Sequence, residues 1–432
     1  LVENSVGRLW MLNHPESRLV DQMDYYIASV DEEADFLRIT KPEELTVIDP
    51  ACGSGHMLTY AFDLLYAIYE EEGYTPSEIP TLVLTNNLYG TEIDPRAGAL
   101  AAFALTMKAA AKRKLFLKNP VEPNVCVLDP ISFSADELSY LVTKDGDRHA
   151  EEAFWNQFAE ADTFGSLIQP DPALTVRLAD HLATLDHDGD ILRADALDRG
   201  QQVVRQATYL AEGYVVAIAN PPYMGTRNMG ARLGSWAKVS YPTSKADLFA
   251  MFIERCMGLV ESRGLVAMIT MQSWMFLSTY EGLRSRIEED APITAMAHLG
   301  TGAFDSIGGE VVATTAFVLG VGRDRKLAGA FVRLTDQRNE ESKRAALRAA
   351  GRAASRAVYR VSSADLTQVP GGPVAYWTDV ALRGAFSTPK TFGSDFTPRK
   401  GNDTGDNGSF LRQWWEVSWS SIGIGMHSRD EA

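Results

Sequence analysis

A short apolar run stops at two prolines in the stretch Tyr214-Val215-Val216-Ala217-Ile218-Ala219-Asn220-Pro221-Pro222-Tyr223. The run predicts a buried strand, because it is short, rich in β-branched residues and preceded by a glycine. The prolines forbid its continuation, since each lacks an N–H group and has a fixed φ angle. The strand therefore presents Asn220 and Tyr223 at its carboxyl end, which is where open α/β sheets bind ligands.

The residues after this strand can recognise a planar amine. The side chain of Asn220 and the backbone of Pro221 each offer a carbonyl acceptor, and Tyr223 offers a flat aromatic face. Two acceptors and an aromatic surface suit an exocyclic NH₂ group. The alternative is purely structural, namely a proline-terminated strand with a capping asparagine.

Three earlier strands are also predicted to end in polar residues at one edge of a sheet. A carboxylate followed by proline closes each of them: Asp49-Pro50, Asp94-Pro95 and Asp129-Pro130. The first is followed by the turn Ala51-Cys52-Gly53-Ser54-Gly55 and by helical apolar spacing over residues 56–72. A glycine-rich turn lets a ligand approach the N–H groups that open a helix, although many nucleotide-binding folds share this pattern and a plain structural turn is the alternative.

Glu92 ends the second predicted strand, 37 residues after Gly55. An acidic side chain at this place can accept hydrogen bonds from both hydroxyls of a ribose. The alternative role is a helix N-cap, for which Asp94 is better suited.

The later part of the chain predicts three more strands, at residues 264–270, 293–300 and 313–320, for seven in all. A glycine-rich loop that contains Phe304 lies between the last two. Residues 131–212 predict a helical insertion, since they exceed a simple crossover and carry helical composition. Its aromatic cluster, Phe154, Trp155 and Phe158, is interpreted as core rather than as a base-stacking surface. Residues 224–243 are either a substrate-side loop or a solvated loop.

Composition limits the class of protein. The chain has 432 residues, a hydrophobic fraction of 45% and a net charge of −16, which argues against a uniformly basic surface. Three widely spaced cysteines without a CxxC pair predict a reducing compartment and no zinc or other metal site. The apolar runs are too short to span a membrane, and no signal peptide opens the chain. We therefore expect a soluble intracellular protein that does not contact a membrane.

Four regions are predicted. Residues 1–40 are an N-terminal helical remnant, and residues 41–330 carry the sheet with its insertion at 131–212. Residues 331–390 are a basic helical connector, and residues 391–432 begin a C-terminal domain. The stretch 323–360 has 11 Lys or Arg against 4 Asp or Glu, so it is either a solvated helix or a phosphate-contacting one. Because Leu1 lacks an initiator Met and a helix cap, we expect a fragment of a longer protein.

Together these motifs resemble the S-adenosylmethionine-dependent, adenine-specific (N6) DNA methyltransferases. The resemblance implies a Rossmann-like, seven-stranded methyltransferase sheet and S-adenosylmethionine as the cofactor. It implies that the cofactor is held by residues of the glycine turn and the next two strands: Asp49, Pro50, Ala51, Gly53, Gly55, Glu92, Ile93 and Asp129. In such enzymes the acidic residue holds the ribose, the next apolar residue lies against the cofactor's adenine, and the later carboxylate meets the adenine amine.

The resemblance also implies the residues that act on the target base. Asn220, Pro221, Pro222 and Tyr223 resemble the catalytic motif, and Tyr223 and Phe304 are similar to aromatic residues that stack on the flipped adenine. The order of motifs is similar to the gamma arrangement, in which a recognition domain follows, here cut short. The family's first cofactor motif, a Thr-Pro before the first helix, is absent.

The motifs are most similar to PglX-type methyltransferases of BREX phage-defence systems, which are related to type IIG restriction–modification enzymes. The segments that carry this likeness are residues 162–168, 400–407 and 410–415. It implies a bacterial cytoplasmic enzyme that binds double-stranded DNA, together with other phage-defence subunits. Two alternatives remain. A protein glutamine methyltransferase needs the same two acceptors, and a catalytically incomplete fragment would only bind DNA.

Overall fold

The computed structural model describes residues 1–28, 35–186, 189–211, 213–304, 312–352 and 358–386. Within these residues nine strands form one mixed sheet in the order β3-β2-β1-β4-β5-β7-β6-β8-β9. The strands are β1 Val47–Asp49, β2 Leu88–Glu92, β3 Asn124–Val127, β4 Tyr214–Ala219, β5 Val260–Met271, β6 Ile293–Gly300, β7 Thr314–Gly320, β8 Ala328–Arg333 and β9 Val358–Ser362. The predicted α/β class is confirmed, but the predicted number of seven strands is wrong.

The sheet is doubly wound around β1 and β4. Strands β3, β2, β1, β4 and β5 are parallel, and the strand order reverses between β1 and β4. Strand β7 is antiparallel to both β5 and β6. Strand β8 adds parallel to β6, and β9 adds antiparallel to β8, so the sheet continues past residue 330. Such a reversal creates a crevice at the carboxyl ends of the two central strands.

The two additional strands have a physical reason for escaping prediction. β9, with the sequence VYRVS, is partly exposed and follows a basic helix, and β8 is only six residues long. Neither has the long apolar pattern of a central strand. Edge strands gain their pairing from a neighbour already in place, which local sequence does not reveal.

Helices cover both faces of the sheet. They are α1 Arg8–Asn13, α2 His56–Glu71, α3 Ile79–Leu82, α4 Pro95–Lys112, α5 Ala135–Leu141, α6 Arg148–Asn156, α7 Ala161–Phe164, α8 Pro172–Thr184, α9 Ile191–Leu210, α10 Ala231–Ser240, α11 Leu248–Met257, α12 Glu281–Asp290, α13 Glu340–Arg352, α14 Ser363–Leu366 and α15 Val380–Ala385. Val216 and Ile218 pack with α2 and α4, whereas Ala217 and Ala219 pack with the insertion and α11. Strand β4 is therefore buried on both faces, which explains its continuous apolar sequence.

The insertion and the basic stretch mostly serve packing. Phe154, Trp155 and Phe158 are buried, so the aromatic cluster is core, and the insertion forms α5 to α9. In the basic stretch Lys343 is buried, and its Nζ donates to three backbone carbonyls: Leu299 (2.7 Å), Leu334 (2.9 Å) and Gln337 (2.7 Å). Part of the positive charge is thus used to satisfy carbonyls inside the fold.

The described chain divides into a large unit, Leu1–Arg383, and a second unit, Gly384–Ala432, that lies almost wholly outside the described residues. The recognition-domain start at 391–432 falls outside them, and the four predicted regions stay a prediction. Among the described residues, no helix has the length and apolar character that crossing a membrane requires.

Candidate active site

The strand register brings the ends of β1 and β4 side by side. Val47 pairs with Val216 and Ile48 with Ala217, so both strands run toward the same edge. Asp49 ends β1 there, and Asn220 follows the end of β4. The two residues therefore flank the crevice at which the strand order reverses.

The turn after β1 needs its glycines. Gly53 has a φ angle of +53° and Gly55 one of +82°, a left-handed region that other residues rarely adopt. A Cβ atom at Gly55 would also lie 3.1 Å from the Cα atom of Ala101 in α4. By contrast, no heavy atom lies within 4 Å of a Cβ built at Gly53, so that side of the turn is open. The turn is close-packed below and open above.

Glu92 connects this turn to the end of β2. Its Oε2 accepts a hydrogen bond from the N–H of Gly53 at 2.8 Å, and its Oε1 accepts from the N–H groups of Ile93 (2.9 Å) and Asp94 (3.0 Å). Asp94 accepts from the N–H of Arg96 at 2.9 Å and caps α4. The alternative role of Glu92 as helix cap is thus taken by Asp94, and the Glu92 carboxylate faces the glycine turn.

Ile93 and Asp129 both lie exposed near this turn. Ile93 is 46% exposed directly after β2. Asp129 is exposed two residues after β3, whose last residue, Val127, pairs with Glu92. The structure therefore gathers the predicted cofactor residues of the first three strands at one edge.

Asp49 lies almost completely buried under the turn. Burial raises the pKa of its carboxyl to about 7, and the negative charge of Glu92 acts in the same direction. The N–H of Ala51 donates to Oδ1 at 3.1 Å, which opposes the shift without cancelling it. Near neutral pH this carboxyl therefore exchanges its proton readily.

The raised pKa of Asp49 predicts a pH-dependent stability. Between about pH 4 and pH 7 the unfolded carboxyl is ionised while the folded one keeps its proton, so its contribution to stability falls as pH rises. We expect Asp49→Asn, which keeps the Oδ1 acceptor, to remove this loss. Relative to wild type, its free energy of unfolding should rise by about 3 kcal/mol between about pH 5 and pH 8. Urea titrations at both pH values test this, and a difference independent of pH would contradict it.

The motif after β4 is exposed where it can meet a ligand. Asn220 is exposed and Pro221 is buried, while Tyr223 is 37% exposed and its ring lies edge-on to Phe249 with centroids 6.0 Å apart. The Tyr223 hydroxyl donates to the carbonyl of Ile269 at 3.4 Å. Burial of this hydroxyl raises the pKa of Tyr223 to about 12, so the phenol stays neutral.

Asp247 fixes the chain just beyond this motif, a role that sequence reasoning missed. Its Oδ1 accepts from the N–H of Met224 at 2.9 Å and from that of Phe249 at 3.3 Å. The signal available in the sequence was its position before the amphipathic helix, which indicates an N-cap. The second bond, back to the residue after Tyr223, needs the folded structure.

Phe304 lies beside a cavity of about 490 Å³. Small and medium apolar residues of the sheet, among them Ile269, Ala297 and Ala316, form its floor. Because the hydroxyl of Tyr223 bonds to Ile269, the cavity and the Asn220 motif share one strand end. Phe304 is 37% exposed there, so the structure brings it to the predicted edge.

His298 is a further residue of this edge that sequence reasoning did not single out. It is buried near the end of β6, and its ring nitrogens bond to Tyr376 Oη (2.9 Å) and Gln272 Oε1 (2.7 Å). Burial, and then the positive charge of Arg333, lower its pKa to about 4, so the imidazole is neutral at physiological pH. The neutral ring can donate from Nε2 to Gln272 and accept at Nδ1 from Tyr376. This network holds the strand that leads to Phe304.

The doubly wound sheet with its antiparallel strand, the glycine turn and the edge motif define a Rossmann-like methyltransferase fold. The chain belongs to the Eco57I restriction-modification methylase family, whose family model matches residues 86–304. That range contains Glu92, Asp129, Asn220 and Phe304. The resemblance noted from the motifs is thereby confirmed.

Relatives share nearly all of this chain. It is 37% identical over 459 residues to "Adenine-specific methyltransferase BrxX" of Escherichia coli O9:H4 (strain HS), and 34% identical over 446 residues to "Adenine-specific methyltransferase PglX" of Lacticaseibacillus casei (strain Zhang). Both alignments cover 98% of this chain, which spans 37% of the length of each curated relative. Among solved structures, the DrdV–DNA complex covers 86% of this chain and 30% of its own, at 13% identity and a TM-score of 0.46.

Proposed function

We propose that this chain carries the methyl-transfer site of an adenine-specific DNA methyltransferase that uses S-adenosylmethionine. One observation carries the proposal: the exposed Asn220-Pro221-Pro222-Tyr223 motif lies at the carboxyl end of β4, directly beside the glycine turn that ends β1. A cofactor over the turn and a planar amine at the motif would then meet in one crevice.

The residues around the turn fit the cofactor. The open side of Gly53 and the exposed face of Ile93 leave room for a nucleoside, and the Glu92 carboxylate can exchange backbone partners for ribose hydroxyls. We assign cofactor binding to Asp49, Pro50, Ala51, Gly53, Gly55, Glu92, Ile93 and Asp129. When bound, S-adenosylmethionine supplies a methyl group activated by the adjacent sulfonium.

The motif after β4 can activate and orient the acceptor. The adenine amine is a poor nucleophile because its lone pair is delocalised into the ring. Asn220 Oδ1 and the Pro221 carbonyl, both acceptors, can take its two N–H groups and localise that pair on nitrogen. Pro222 keeps these carbonyls at a fixed turn, since its φ angle cannot vary.

The aromatic residues at the edge can hold the base outside the duplex. An amine cannot react while its base is stacked, so the adenine must leave the helix. Tyr223 and Phe304 are both partly exposed at this edge, and each offers a face on which the flipped base can stack. Their neutral aromatic rings suit stacking, because the raised pKa of Tyr223 prevents a phenolate.

The partners follow from the substrate. Double-stranded DNA is the proposed macromolecular ligand, and the likeness to BrxX and PglX supports a phage-defence role with other subunits. We place this reaction in the bacterial cytoplasm, where DNA and cofactor occur together. The relatives' names support adenine over the side-chain amide of glutamine, which the Asn220 motif could also accept.

A competition between acceptors tests the proposal. The full chain is incubated with S-adenosylmethionine carrying a radiolabelled methyl group, unmethylated bacterial DNA and a mixed protein extract. We expect label in the DNA and none above background in protein, because the relatives' likeness and the base-stacking residues favour a nucleobase. Label in protein would instead support the glutamine alternative, and DNA binding without label in either acceptor would support the catalytically incomplete fragment.

A further inference from the structure

The helical insertion contacts β2 on both sides of Glu92. The Ser166 hydroxyl lies 2.7 Å from the Thr91 hydroxyl, and both side chains are buried. One residue earlier, Gly165 lies against Ile93, so that a Cβ atom at Gly165 would be 3.0 Å from Ile93 Cγ2. Because alternate residues along a strand share a face, Thr91 and Ile93 meet the insertion together while Glu92 faces the glycine turn.

Thr91 also touches the glycine turn through its backbone. Its carbonyl accepts a hydrogen bond from the N–H of Cys52 at 3.1 Å. A displacement of Thr91 would therefore move the turn, the Glu92 carboxylate and Ile93 at once. The insertion holds this residue by its side chain.

The contacting segment of the insertion is itself firmly held. Arg255 Nε donates to the carbonyl of Ser166 at 2.8 Å, and the Tyr241 hydroxyl donates to that of Leu167 at 2.6 Å. The Phe164 ring stacks on Trp236 with centroids 4.4 Å apart and an interplanar angle of 14°. Helices α10 and α11, which follow the Asn220 motif, thus fix the segment against β2.

Gly165 has a backbone that matches this close approach. Its φ angle of +53° is one that glycine adopts easily and other residues adopt at a cost. A side chain here would meet Ile93, the residue assigned above to the cofactor's adenine. The segment therefore limits where Ile93 can lie.

We propose that residues 161–167 of the insertion form a wall of the cofactor site, in which Ser166 and Gly165 are positioning residues for Thr91 and Ile93. The proposal rests on the proposed function, because it needs a nucleoside cofactor over Ile93. It gives the insertion a role in cofactor affinity that its buried aromatic core alone does not.

Variants of the hydroxyl pair test the wall. Thr91→Val keeps the shape and removes the hydroxyl, Ser166→Ala removes its partner, and Thr91→Ser keeps the bond. We expect the first two to weaken the calorimetric Kd for S-adenosylmethionine about fivefold each, and Thr91→Ser to stay within about twofold. The double variant should be no weaker than either single one, since both remove the same interaction.

A glycine pair gives an independent comparison. We expect Gly165→Ala to weaken cofactor binding about tenfold or more, because the added methyl group meets Ile93. Gly73→Ala is the matched control: Gly73 has a φ angle of +81°, no heavy atom within 4 Å of its built Cβ, and a position at the far end of α2. It should lower the melting temperature comparably and leave the Kd unchanged.

The outcomes separate the two proposals. Wild-type affinity in Thr91→Val, Ser166→Ala and Gly165→Ala would overturn the wall while leaving the proposed function intact. An equal loss of affinity in Gly165→Ala and Gly73→Ala would also overturn it, since the effect would then be one of stability. Failure of the wild-type full chain to bind S-adenosylmethionine would overturn the proposed function and the wall with it.

Discussion

Replacing Asn220 with alanine is expected to lower the rate of methyl transfer by about a thousandfold or more. The side-chain carbonyl is one of two acceptors available to localise the amine's lone pair, and loss of one such preorganised group typically costs two to three orders of magnitude. The truncated side chain would also leave a gap that water can enter beside the reacting nitrogen. A single-turnover assay with saturating cofactor and DNA measures the chemical step directly.

Cofactor affinity should survive the Asn220→Ala change. Asn220 is exposed at the end of β4, whereas the glycine turn and Glu92 are fixed by their own hydrogen bonds. Asn228→Ala serves as the matched control, because Asn228 is an exposed asparagine in the segment that follows the motif. We expect its rate to equal that of wild type. Full turnover by Asn220→Ala would refute the assignment of this motif as catalytic.

Replacing Glu92 with alanine is expected to weaken binding of S-adenosylmethionine about a hundredfold. The carboxylate accepts hydrogen bonds from the N–H groups of Gly53, Ile93 and Asp94, so its removal releases the turn from β2. It would also remove the acceptor proposed for the ribose hydroxyls. Hydrogen bonds to a charged group contribute about 1.5–3 kcal/mol each, and part of this would be recovered by water.

Titration calorimetry with S-adenosylmethionine and with the truncated ligand adenine separates these effects. A ribose contact predicts that Glu92→Ala loses far more affinity for the nucleoside cofactor than for free adenine. Asp94→Ala, which removes the neighbouring cap of α4, is the matched control and should change the ratio little. Equal losses for both ligands would place the effect in the turn alone.

The central strands and their edge residues could be predicted because their signals are local. Strand β4 has the predicted bounds, Tyr214–Ala219, since an apolar run enclosed by a glycine and two prolines leaves one solution. Strand β6 likewise runs from Ile293 to Gly300. The polar residues after these strands meet at one edge because parallel strands share their direction. That rule needs no knowledge of packing.

What the sequence did not reveal depends on contacts between distant segments. The bond between Thr91 and Ser166 joins residues 75 positions apart, and the one between His298 and Tyr376 joins residues 78 apart. Neither pair has a sequence pattern of its own, because serine, threonine and tyrosine are common in any environment. The edge strands β8 and β9 were missed for a related reason, since their pairing depends on β6 being in place.

The most direct test is the identity of the methylated atom. The full chain is incubated with unmethylated bacterial DNA and S-adenosylmethionine carrying a deuterated methyl group, and the DNA is digested to nucleosides for mass spectrometry. The site described above predicts deuterated N6-methyladenine, formed by wild type and absent with Asn220→Ala. Deuterium in N4-methylcytosine or 5-methylcytosine alone would contradict an adenine-specific site, as would N6-methyladenine formed equally well without Asn220.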